Sequence, residues 1–225
     1  MLPLRKTTVA DNTMMNQGTI RLLPGLHPTV SVLLDTPLPD ERRAVLDVLI
    51  AYIRRRLEQG LPIRLNFICT HNSRRSQMAQ IWAQTAAAYH GIPAQCFSGG
   101  VEVTAFNERA VEAVRRAGFE VTRDGDAANP VYGIRYSQEC KPIAAFSKTY
   151  DDEVNPATDF AAVMTCDHAD ENCPFIPGAT RIAVRYEDPK AFDDTVEEAL
   201  RYDERLRQIG AEMLFVFREL DNELP

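Results

Sequence analysis

The sequence predicts an α/β fold: three layers around a central parallel sheet of about four strands, elaborated by an N-terminal helical extension. Three observations predict it. Short β-prone runs alternate with helical patterns from residue 63 onward. The run Phe160–Cys166 has the apolar make-up of a strand buried on both faces. The chain is 225 residues long and 45% hydrophobic, enough to bury a sizeable core.

The elements follow in order. Residues 1–36 carry Pro3, Pro24 and Pro28 and read as an irregular arm with one short strand at Thr29–Leu34. Asp40–Gln59 is a helix, because Val45, Leu46, Leu49, Ile50, Ile53 and Leu57 recur at helical spacing. Asp40 is its expected N-cap, and Gly60 with Pro62 its stop. Arg54, Arg55 and Arg56 suit a solvated last turn, where the helix dipole favours cations. Ile63–Ile68 is a strand ending at Cys69, and a polar loop leads to a helix over 77–90. Gln95–Ser98 is a strand closed by Gly99 and Gly100; Asn107–Ala117 is a helix stopped by Gly118. Arg181–Tyr186 is a further strand, and Asp194–Leu220 a long amphipathic helix. The segment 124–158 breaks this rhythm. Within it, Val131–Tyr136 and Ile143–Lys148 can pair as a hairpin across the Cys140–Pro142 turn. An aromatic insert of this kind could also cover Cys69 and bring Lys148 or Tyr150 to a substrate. The expected organisation is an N-terminal extension over 1–60 with one amphipathic helix, and a catalytic domain over 61–225 with an insert at about 124–158.

A net charge of −7 argues against nucleic-acid binding through a basic face, while leaving room for a local anion site. No apolar run is long enough to span a membrane, and the first residues lack the pattern of a secretory signal, so a cytoplasmic protein is expected. Structural disulfides are rare there. Cys69, Cys96, Cys140, Cys166 and Cys173 therefore call for another explanation, in chemistry or in packing.

The strongest chemical signal is the run Cys69-Thr70-His71-Asn72-Ser73-Arg74-Arg75-Ser76. A cysteine ends a strand, five residues follow, and an arginine opens a helix. Amides of a tight loop and of a helix N-terminus make an oxyanion cradle. Arg75 adds a planar fork suited to a tetrahedral oxyanion. The same positive surroundings favour the anionic sulfur of Cys69, and Ser76 can donate to it. Asn72 suits a position with positive φ.

The run FICTHNSRRSQMAQIWA resembles the nucleophile loop of the low-molecular-weight protein tyrosine phosphatases, and is closer still to the thioredoxin-coupled arsenate reductases built on that fold. FSGGVEVTAFNERAVEAVRRAGFEV is similar to the family's second strand and helix, and VMTCDHADENCPFIPGATRIAVRYEDP to the reductases specifically. The similarity covers about residues 63–218, interrupted by 124–158. It implies a low-molecular-weight phosphatase-like fold, with Cys69 as nucleophile, Arg75 as oxyanion ligand and Asp188 of Asp188-Pro189 as general acid. Substrate-binding residues would be Thr70, His71, Asn72, Ser73, Arg74, Arg75 and Ser76. The reductases keep two cysteines seven residues apart, matched by Cys166 and Cys173. The implied relay passes from Cys69 to Cys166 and then to Cys173, with thioredoxin or another dithiol as electron donor and no cofactor. Metal ligation by Cys166, His168 and Cys173, or simple packing, are the rival readings of the pair.

The chain departs from the family pattern at several points. His71 stands where glycine is usual and Arg74 where a second cysteine is usual. Gln80 replaces the glutamate of the reductases' potassium site, which weakens that site without removing Asn72 and Ser98 from it. Lys190 follows Asp188-Pro189 where phosphatases commonly have an aromatic residue. Arsenate reduction is the leading expectation. Hydrolysis of phosphotyrosine or small phosphate esters through a phosphocysteine is the alternative, and a non-catalytic phosphate-binding module the third.

Overall fold

The computed structural model describes residues 20–172 and 175–221. Two helices open it, α1 (His27–Leu34) and α2 (Asp40–Glu58). They are followed by β1 (Ile63–Cys69), α3 (Arg75–Tyr89), β2 (Ala94–Gly100) and α4 (Glu108–Arg116). Three short strands come next, β3 (Glu120–Asp124), β4 (Val131–Arg135) and β5 (Ile143–Ala145). The chain then runs through β6 (Phe160–Met164), α5 (Asp167–Asn172), β7 (Ala179–Ala183), a 3₁₀ turn (Pro189–Phe192) and α6 (Glu198–Asp221).

The central sheet has the order β2-β1-β6-β7 with every pairing parallel. From β1 the chain steps out to β2, then crosses back to β6 on the other side. The carboxyl ends of β1 and β6 thus flank a topological switch point, where open α/β sheets hold their ligands. Strand alternation divides the apolar side chains between two faces. Leu65, Phe67, Ala161, Val163 and Ile182 join the main core. Ile68, Ala162 and Met164 join a smaller cluster that α5 covers through Ala169, aided by Val101, Tyr150 and Ile176.

The main core does not stop at residue 61. Leu26, which precedes α1, Val30 and Leu33 of α1, and Leu46, Leu49 and Ile53 of α2 are buried in the same cluster as Trp82 and Tyr202. At Gly210 in α6 an added Cβ would stand 2.8 Å from both Leu33 and Trp82, so a helix-weakening residue is kept where three helices meet. The expected strand at Thr29–Leu34 is instead helical. Pro28 occupies the first turn, where proline is tolerated, and Leu26, Val30 and Leu33 form one buried stripe. Packing of that stripe overrides the β-preference of the valines. Pro39, not Asp40, is the N-cap of α2. Arg56 is not solvated: it is buried, forks onto Asp159 at 2.7 and 2.8 Å, and donates to the Pro62 carbonyl.

The 124–158 segment forms the expected hairpin, with Tyr132 opposite Ala145 and Ile134 opposite Ile143. β3 adds a third antiparallel strand that the sequence reading lacked. The arm reaches this small sheet as well, through a bridge between Leu22 and Ser137 and a bond from Leu23 N–H to the Tyr136 carbonyl. β7 starts and ends earlier than expected, but its pairing continues as Val184 N–H to Met164 O and Tyr186 N–H to Thr165 O. Among the described residues, no helix is long and apolar enough to cross a membrane.

Candidate active site

Each carbonyl of the loop after β1, from Cys69 to Arg74, accepts a hydrogen bond. Cys69 O accepts from Val101 N–H, Thr70 O from Glu102 N–H, and Ser73 O from Asn107 N–H. His71 O accepts from the Ser147 hydroxyl, Asn72 O from Gln77 Nε2, and Arg74 O from Met78 N–H. In a planar trans peptide the N–H points opposite to the C=O. With the carbonyls of 69–74 bonded outward, the amides of 70–75 turn inward, toward the end of β1 where Cys69 sits. Asn72 adopts φ 47°, and Gly100 lets β2 close on the loop, since a Cβ there would lie 2.7 Å from Asn72 N.

Cys69 is buried, with its sulfur 3.1 Å from the Ser76 hydroxyl. Ser76 accepts from Asn72 Nδ2 at 2.8 Å. Asn72 Oδ1 accepts in turn from Gln77 Nε2 and from the backbone N–H of Lys148, each at 3.0 Å. The insert therefore meets the loop as a brace through its backbone, and Lys148 is buried rather than presented to a substrate. Its ammonium donates to the Phe146 carbonyl at 3.3 Å and lies 4.4 Å from the Phe146 ring. Burial pushes it down to about 8. An unfolded lysine titrates near ~10.4, so between those values the unfolded chain holds more protons and stability rises with pH. Below that window the buried charge costs up to about 3 kcal/mol. Lys148→Met is expected to stabilise the protein near pH 7 by about 2 kcal/mol and to remove that rise. Urea unfolding of both proteins at pH 7 and pH 10 checks this; an unchanged slope in the variant would refute it.

Arg75 opens α3. Its Nη2 donates to Asp188 Oδ2 at 2.7 Å and its Nη1 to the Tyr186 carbonyl at 3.1 Å. Its Nε is buried with no hydrogen-bond partner among the described residues. Asp188 caps the 3₁₀ turn by accepting from Lys190 N–H. Arg75 and Asp188 thus form one ion pair, and Arg75 closes the loop that Cys69 opens. Arg74 Nε donates to the Tyr202 hydroxyl at 2.8 Å and lies 4.0 Å from Asp188 Oδ1, and Nη2 meets Asp193 at 3.5 Å. His71 pairs with Glu102 at 3.3 Å on the surface, and Ser73 bonds the Ala105 carbonyl.

Cys166 follows β6 and is buried, its sulfur 3.6 Å from the Thr70 hydroxyl. The same hydroxyl lies 3.3 Å from His168 Nδ1. Ala169 N–H, in the first turn of α5, points at the Cys166 sulfur at 3.4 Å. Cys173 lies outside the described residues. Burial pushes the Cys96 thiol up, in keeping with a packing role, and Cys140 packs at the margin of the core. Among the described residues no group of three His, Cys, Asp or Glu side chains could hold a metal ion. Gln80 and Ser98 bond each other at 2.7 Å, and Gln80 Nε2 donates to Cys96 O.

Residues 64–139 match the family model described as low molecular weight phosphotyrosine protein phosphatase. Arsenate reductase 2 of Staphylococcus epidermidis is 29% identical over 115 residues, which are 51% of this chain and 69% of that protein. The arsenate reductase of Halalkalibacterium halodurans is 27% identical over 154 residues, 68% of this chain and 93% of that protein. Among solved structures, a thioredoxin-dependent arsenate reductase of Corynebacterium glutamicum covers 85% of both chains at 20% identity, with a TM-score of 0.38. The family match over residues 64–139, these relatives and the loop-bearing parallel sheet make this part of the chain similar to the low molecular weight phosphotyrosine protein phosphatases and to the arsenate reductases.

Proposed function

We propose that this protein reduces arsenate to arsenite in the cytoplasm through a cysteine relay re-reduced by thioredoxin or another dithiol. The observation that carries the reading is the Cys166 sulfur beside Thr70, the first residue of the cradle. Ile68 is the register partner of Met164, so Cys166 is one step past the partner of Cys69. Strands ~4.8 Å apart with a rise of ~3.3 Å put the two Cα atoms about 6 Å apart, within the reach of a disulfide. The arsenate reductases among the relatives support the same reading.

In this mechanism the Cys69 thiolate attacks arsenic(V), and an arsenate oxygen leaves as water after protonation by Asp188. Cys166, as thiolate, attacks the Cys69 sulfur. The sulfur–arsenic bond breaks with its electron pair left on arsenic, giving arsenite and a Cys69–Cys166 disulfide. Cys173 then attacks Cys166, freeing the Cys69 thiolate, and the donor dithiol reduces the Cys166–Cys173 disulfide. The Arg75–Asp188 pair makes acid and substrate binding interdependent. An oxyanion that takes the Arg75 fork does so in competition with Asp188 Oδ2, so acid and substrate meet at one guanidinium.

One observation favours a phosphatase as second reading: a groove of about 470 Å³ beside the loop, bordered by His71, Ser73, Phe106, Glu108 and Lys190, could seat an ester's leaving group. The deciding experiment measures arsenate-dependent NADPH oxidation with thioredoxin and thioredoxin reductase, alongside hydrolysis of p-nitrophenyl phosphate. The reductase reading expects the first activity and an arsenate-dependent Cys69–Cys166 or Cys166–Cys173 crosslink by mass spectrometry. Ester hydrolysis with unmodified thiols would overturn it. Neither activity, with phosphate still raising the melting temperature, would leave a binding module.

A further inference from the structure

We propose that Arg74 is a positioning residue that holds the far end of the Asp188 loop while Arg75 turns to the oxyanion, and is not itself an oxyanion ligand. The inference rests on the cradle reading above and extends it to a residue at which this chain has its own solution.

Two consecutive arginines of the nucleophile loop grip the two ends of one segment. Arg75 holds the near end through the Tyr186 carbonyl and the Asp188 carboxylate. Arg74 holds the far end at Asp193, its closer carboxylate, with Asp188 at the limit of an ion pair, 4.0 Å away. The grip is partly direct, at 3.5 Å, and partly through a buried tyrosine: Arg74 Nε donates to the Tyr202 hydroxyl at 2.8 Å, and that hydroxyl donates to Asp193 Oδ1 at 2.7 Å. The Arg74 side chain is only 12% exposed and Tyr202 is fully buried, so water screens these bonds weakly. Arg109 completes the anchor from α4, 3.8 Å from Asp193 and 2.6 Å from both Asp194 and Glu198. Asp193 N–H closes the turn on Lys190 O at 3.0 Å.

The division of labour follows from which bonds a substrate must break. A tetrahedral oxyanion can take the Arg75 fork only in competition with Asp188. If that were the sole tether, binding would free the acid from the site it serves. A second tether at the other end lets Asp188 leave Arg75 and stay within reach of the leaving oxygen. Arg74 can act this way because its guanidinium is already committed to Tyr202 and Asp193.

The test combines amide hydrogen exchange over 187–195 with the affinity of inorganic phosphate, read as protection of Cys69 from iodoacetate. Wild type, Arg74→Gln and Tyr202→Phe are compared; the last keeps the buried ring and removes only the bridging hydroxyl. Both variants are expected to speed exchange at 190–195 by about tenfold or more, with and without phosphate. Phosphate affinity should change less than about threefold, and turnover should fall in kcat rather than KM. Exchange at the wild-type rate in both variants, or a tenfold loss of phosphate affinity in Arg74→Gln alone, would overturn the proposal. Failure of phosphate to protect wild-type Cys69 would instead sink the cradle reading, and the phosphate-free exchange rates would still decide whether Arg74 tethers the loop.

Discussion

Cys166→Ser is expected to abolish catalytic arsenate reduction, by roughly three orders of magnitude, while leaving the cradle intact. The serine hydroxyl is nearly the size of the thiol and can still take the Ala169 N–H, so the buried site beside Thr70 should survive. Phosphate protection of Cys69 should therefore remain within about twofold of wild type, and any ester hydrolysis should persist. Cys173→Ser should fail differently. One equivalent of arsenite is released and the enzyme stalls as a Cys69–Cys166 disulfide, seen as a loss of two hydrogens in the intact mass. Asp188→Asn should impair both activities. Loss of reduction with hydrolysis preserved in Cys166→Ser separates relay from phosphatase; full reductase activity in that variant would end the relay account.

The second step of the proposed relay would carry a cost, set by α5. Seven helical residues climb ~10.5 Å, whereas a disulfide needs Cα atoms within ~7 Å. α5 occupies Asp167–Asn172, between the two cysteines. Under the proposed relay, this helix would have to unwind before a cysteine seven residues after Cys166 could bond to it. Apart from buried Ala169, its fastenings are ion pairs to Arg181 and Arg185. Burial works against the Asp170 carboxylate, yet hydrogen bonds from Arg181 and Arg185 still hold its carboxyl below the usual range. A six-residue helix held mainly by such pairs opens at low cost.

The parts of this site that a sequence can reveal are those fixed by local geometry. The strand–loop–helix around Cys69, the positive φ of Asn72 and the hairpin after Asn129 depend on residues close in the chain, and each is found where the residue types predict it. The parts that stayed hidden depend on partners far apart in sequence. Arg74 and Tyr202 are 128 residues apart, and nothing local to either marks the other. Arg56 looks like one of three surface arginines until Asp159, 103 residues on, forks with it. Thr29–Leu34 misleads for the same reason. Its β-branched residues favour a strand, and only the packing of Val30 and Leu33 into the main core makes it a helix.

The same long-range logic makes Arg42 the most consequential residue of the extension. From α2 it forks onto Glu212 of α6 at 2.8 and 2.7 Å, donates to the Arg185 carbonyl, and lies over the Tyr186 ring at 5.2 Å. Glu212 is 1% exposed, and the hydrogen bond to it holds Arg42 charged beyond the usual arginine range. Arg42→Met should strand that carboxylate in the core at a cost of about 3–5 kcal/mol, a drop in melting temperature on the order of 10 °C. The deficit has a sign with pH. A stranded carboxylate is tolerated only by taking up a proton, so the loss should be small near pH 4 and grow toward pH 7. Arg42→Met with Glu212→Leu removes both charges and should recover most of the stability. Because Tyr186 also gives its carbonyl to Arg75, the single variant should loosen the near end of the Asp188 loop as well, raising exchange at 186–188. Thermal melts of the three proteins between pH 4 and pH 8 decide the matter. A pH-independent deficit, or a double variant no better than the single one, would show that the extension is held by its apolar stripe alone and that the ion pair contributes nothing to it.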